Sequence, residues 1–118
     1  MSDAKENLAN ILREASAWLR RPDNDFAWWS WSDAEEAITE LSKHIALLDA
    51  GRLPPKTDLT VLFAPTGPIQ EVSISSGWGE EFLELAARFD RACRRAYVWS
   101  WMKGVQVSRT ARREWSFL

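Results

Sequence analysis

His44 and Cys93 are the only histidine and the only cysteine in the 118-residue chain. Any site that needs an imidazole or a thiolate therefore has one candidate of each. A lone cysteine excludes an intrachain disulfide and argues against a thiolate metal cluster. Cys93 lies in a helical pattern and reads as a small core residue. His44 is mid-helix, without a second histidine at ligand spacing, and reads as a packed or half-exposed side chain rather than a metal ligand or base. Carboxylates are paired at Glu35/Glu36 and Glu80/Glu81, but both pairs open helical patterns, where the positive end of the helix dipole attracts acids for stability alone. The chain has no glycine-rich phosphate loop and no nucleophile elbow. The expectation is a non-enzyme with no catalytic residues, no cofactor and no metal.

What remains is a chemistry of contact. Eight tryptophans are many for this length. Trp28, Trp29 and Trp31 form a run after Phe26, and Trp78 is flanked by Gly77 and Gly79. Indoles ringed by charge are typical anchors of protein interfaces. The candidate partner-binding set is therefore Trp28, Trp29, Trp31 and Trp78, with Gln70, Glu71, Glu80 and Glu81 around them. The competing structural reading has the Trp28–Trp31 rings plugging the gap between the first two helices. A small-molecule site or enzyme pocket under the same loop is a further alternative.

Charge supports two readings. Residues 1–87 carry 7 Lys+Arg against 15 Asp+Glu, a net of −8, and residues 88–118 carry 8 against 2, a net of +6. Basic residues late in a helix complement its dipole. Alternatively, the basic end, with Trp99, Trp101 and Trp115, binds nucleic acid by charge and stacking. The sequence pI of about 5.4 speaks against that as the main role.

These residues must be positioned by elements. The hydrophobic share of 46% and charged share of 27% are those of an ordinary globular protein, and the length fits one domain, 1–118. Leu8, Ile11, Leu12, Ala15, Trp18 and Leu19 recur at three- and four-residue steps, predicting a helix over 3–21 ended by Pro22. Ser32-Asp33-Ala34-Glu35 reads as a capping box with Ser32 as the cap, opening a helix to about Ala50 with Gly51 beyond it. A third helix is predicted from Gly79 or Glu80 to Gly104, burying Phe82, Leu85, Phe89, Cys93 and Ala96. Between the last two, Leu59–Phe63 is short, apolar and β-favouring, and Val72–Ser75 alternates with a period of two. Ala64–Pro68 between them has turn chemistry. The predicted fold class is α+β, in the order α-α-β-β-α, around a central antiparallel β-hairpin. Residues 105–118 would add a short strand, a short helix or a loosely docked basic tail.

In the blocks W-x-W-S-D-A-E-E-A (Trp29–Ala37) and LFAPTGPIQEVSISSGWGEEFLELAARFD (Leu62–Asp90), the chain resembles a small bacterial family of unknown function. The resemblance spans about residues 29–90 and brings no catalytic residues with it. In size the family is similar to immunity proteins of bacterial toxin systems, a likeness of type that implies an unidentified protein partner. The first residues lack the regions of a signal peptide, and no apolar run is long enough to cross a bilayer. The expected location is the cytoplasm, away from membranes.

Overall fold

A computed structural model describes residues 4–26, 31–65 and 67–103, with the side chains of 99–103 excepted. Among the described residues there are five helices: α1 (Ala4–Leu19), α2 (Ala34–Asp49), α3 (Lys56–Phe63), α4 (Pro68–Ser76) and α5 (Gly79–Lys103). The described residues contain no strand. The architecture is all-helical, not α+β, and the central hairpin is replaced by two short helices.

The spacing of the buried residues explains the replacement. Leu59, Leu62 and Phe63 are buried in α3, and Ile69, Val72 and Ser73 in α4. Both sets step i, i+3, i+4, one face of a helix. The alternation of Val72 and Ile74, read as one face of a strand, is split. Val72 is inside and Ile74 is 61% exposed. Pro68 stands in the first turn of α4 and Gly77 caps it in the left-handed region, φ 88°. This order of proline first and glycine last is the ordinary punctuation of a helix. The buried Ser73 hydroxyl donates to the Gln70 carbonyl at 2.7 Å, so a small polar residue fits the inner face. Gly67 has a negative φ of −79° and is needed for closeness rather than for turn freedom. A Cβ there would lie 2.6 Å from the Val61 carbonyl oxygen and 2.9 Å from that of Ala64.

The three long helices follow their apolar stripes. Leu8, Ile11, Leu12, Ala15 and Leu19 are buried on α1, and Phe82, Leu85, Phe89, Cys93 and Ala96 on α5. The cap of α2 is shifted by one residue from the capping box. Asp33, not Ser32, is the N-cap, and its carboxylate accepts from the Glu36 N–H at 2.9 Å. Aspartate at this position satisfies an orphan donor and complements the dipole.

α1 is the central helix, packing on both α2 and α5. Its contacts with α5 run in reverse order: Trp18 stacks on Trp78, Glu14 pairs with Arg88, and Asn7 shares a groove with Arg95. The two helices are therefore antiparallel. The Tyr97 hydroxyl donates to the Pro54 carbonyl. The end of α5, the start of α1 and the linker after α2 thus meet at one pole. At the other pole lie the start of α5 and the end of α1.

The polar joint of that second pole is built on Asn24. Its amide nitrogen donates to the carbonyls of Trp18 at 2.7 Å and Leu19 at 3.0 Å, two of the orphan acceptors at the end of α1. Its amide oxygen accepts from the Trp78 indole N–H at 2.8 Å. The Trp18 and Trp78 rings stack at 5.1 Å, and the Arg21 guanidinium lies 4.8 Å from the Trp18 ring centroid. One side chain therefore ends α1 and fixes the loop before α5.

Candidate functional site

The indoles singled out as anchors separate from their charged neighbours. Trp31 and Trp78 are each only 3% exposed. The Trp31 indole N–H donates to the Glu40 carboxylate at 3.1 Å, and that of Trp78 to Asn24. Both have their ring area and their one donor satisfied inside the chain, so neither is an anchor for a partner. Trp28 and Trp29 lie outside the described residues, as do residues 104–118, on which the expected strand, short helix or tail falls.

The polar members of the set lie on α4 and at the start of α5. Gln70 and Glu71 are half-buried on α4, and Glu80 and Glu81 are exposed in the first turn of α5. Between them stand two side chains that the sequence reading did not select. Ile74 is 61% exposed and Leu83 is 58% exposed. Ile74 lies against the start of α5, its Cγ1 3.6 Å from where a Cβ of Gly79 would be. Leu83 is one turn beyond Gly79 on the same flank of the helix. Glu71 precedes Ile74 by three residues, and Glu80 precedes Leu83 by three, so each aliphatic side chain has a carboxylate one turn away. The face is a small apolar spot edged by acids. The signal for Leu83 was in the sequence, because it falls off the buried stripe of α5. Ile74 was hidden by the strand reading.

Burial shifts two titratable groups of α5. Burial raises the Cys93 thiol above its ordinary value, which keeps it protonated. Burial also pushes up the Tyr97 hydroxyl. Among the described residues no three His, Cys, Asp or Glu side chains are grouped to hold a metal, and no helix is long and apolar enough to cross a membrane. Glu14 and Arg88 form a two-bond pair across α1 and α5. Hydrogen bonding to Arg88 lowers the Glu14 carboxyl, and the same bond raises the Arg88 guanidinium. Both partners are nearly half exposed, so solvent screens the pair and its effect on stability is small.

His44 lies on the buried stripe of α2, 7% exposed, and its Nδ1 has no hydrogen-bond partner among the described residues. Burial lowers its pKa from the ordinary 6.5, and this outweighs the attraction of Glu40 and Asp58, while Lys43 pushes in the same direction as burial. The folded state therefore prefers neutral His44, and below pH 6.5 the unfolded chain binds more protons than the folded one. Stability from this residue is intact above that pH and falls as the pH drops below it. The limiting slope for one proton is about 1.4 kcal/mol per pH unit. Urea midpoints at pH 7.5 and 5.5 should separate in the wild-type chain and draw together in His44→Leu. Equal separation in both would assign the pH dependence to other groups.

The chain matches no protein-family model, no curated protein and no solved structure.

Proposed function

We propose that the chain is a non-enzymatic protein-binding module whose contact face is the Ile74–Leu83 spot with its acidic edge. The observation that carries this reading is the exposure of two large aliphatic side chains, 61% and 58%, on the consecutive helices α4 and α5, with Ile74 packed at the start of α5 one turn before Leu83. Covering one such side chain contributes about 1.5–3 kcal/mol before the costs of association. Glu71 and Glu80, each one turn from one of them, favour a cationic partner and speed its approach at low salt. The partner that fits is a basic segment presenting an apolar side chain between its charges. An immunity-like inhibitor that covers a basic surface of a bacterial toxin is a role of this kind, and the resemblance in type supports it.

The test is a double variant, Ile74→Ser with Leu83→Ser. Both positions are exposed, so its urea midpoint should stay within about 0.5 kcal/mol of wild type per site. The wild-type chain, used as bait in its native host, should retain a protein with a basic, apolar-studded segment. The double variant should bind that protein at least tenfold more weakly. Undiminished binding by the stable double variant would remove this face from the function.

A further inference from the structure

On the other flank of α5 a groove of about 460 Å³ runs between that helix and α1. Its volume is in the range of small-molecule sites, about 300–1,000 Å³. The floor is apolar, made by the buried Ile11 and Ala92. One wall is amide, from Asn7 and Asn10 of α1, and the other is Arg88, Arg91 and Arg95 of α5. Among the described residues the only carboxylate on the groove is Glu14, and it is engaged by Arg88 through two bonds. Among the described residues neither Arg91 nor Arg95 has an ion-pair partner. Arg94, on a different face, is by contrast paired with Asp90 at 3.0 Å.

Helix electrostatics do not account for this arrangement. All three arginines of the groove lie more than one turn before Lys103, the end of α5, and the dipole favours cations only in the last turn. Like charges one turn apart repel, as Arg91 and Arg95 do. A bound anion would relieve that repulsion.

We infer that this groove binds a phosphate monoester of nucleotide size. The forked guanidinium groups of Arg91 and Arg95 match phosphate oxygens two at a time. The Ile11–Ala92 floor seats the less polar body of the ligand. The Asn10 side-chain Oδ1 already accepts from Arg13 at 3.0 Å, so its side-chain NH2, with the Asn7 amide, supplies the donors for the ligand's remaining polar edge.

Calorimetric titration of the full chain at low salt tests this with three probes: adenosine monophosphate, inorganic phosphate and a ten-nucleotide single strand. The monophosphate should bind at submillimolar concentration, at least threefold tighter than inorganic phosphate. Arg91→Gln with Arg95→Gln should weaken it at least tenfold, and Arg94→Gln should leave it unchanged. Without ligand, the double variant should unfold at a temperature equal to or above that of wild type, because the repulsion is gone. Four results would overturn the inference: no binding of the monophosphate by wild type, equal binding by the double variant, inorganic phosphate bound as tightly as the ester, or the oligonucleotide bound far more tightly than either.

Discussion

Phe63→Ala is expected to cost about 3–5 kcal/mol, the loss that follows removal of a buried phenyl ring. Phe63 is 6% exposed, stacks on Phe89 at 4.1 Å between centroids, and lies 6.3 Å from Phe82 in a nearly parallel ring plane. It is the side chain through which α3 reaches α5. Truncation leaves a cavity that two α5 rings cannot fill, and it also removes pairwise ring contacts beyond simple burial. Phe63→Leu keeps most of the volume and should cost about 1–1.5 kcal/mol. Urea unfolding followed by far-ultraviolet dichroism reads both values. A cost below 1 kcal/mol for Phe63→Ala would mean that α3 is not docked on α5 as described.

Asn24→Ala should lose about 2–4 kcal/mol. The substitution strands the buried Trp78 indole N–H, at about 1–3 kcal/mol, and releases two carbonyls at the end of α1. Asn24→Asp separates the halves of the effect. An aspartate still accepts from Trp78 but cannot donate to Trp18 and Leu19, and it sets a negative charge at the negative end of the α1 dipole. It should be at least as damaging as alanine. Trp78→Phe, which removes the indole N–H and keeps most of the ring, should be milder than either. If the alanine variant stayed within 0.5 kcal/mol of wild type, Asn24 would not be the joint of this pole.

The three long helices were legible in the sequence because their stripes are long enough for period 3.6 to be told from period 2. Leu8 to Leu19 and Phe82 to Ala96 each span several turns. α3 and α4 are only 8 and 9 residues long. Over that length, Leu59-Thr60-Val61-Leu62-Phe63 has the composition of a strand and the spacing of a helix, and composition misled. The decisive marks are Pro68 and Gly77, a helix start and a helix stop, of which Pro68 suits a turn equally well. Of the candidate site, the sequence did not reveal the burial of its indoles. Glu71 and Glu80 each stand one turn from an exposed aliphatic side chain, but Trp31 and Trp78 are buried and hydrogen-bonded to Glu40 and Asn24. The second of these pairs joins residues 54 positions apart, a separation that no local pattern reveals.

Because α1 and α5 are antiparallel neighbours, the first residue of α1 and the last of α5 share a pole. The Ile74–Leu83 spot sits at the opposite one. A label or tether on Lys5, in the first turn of α1, would therefore hang from the far side of the molecule. Immobilised through such a handle, the chain would present its acidic, aliphatic surface outward to solution.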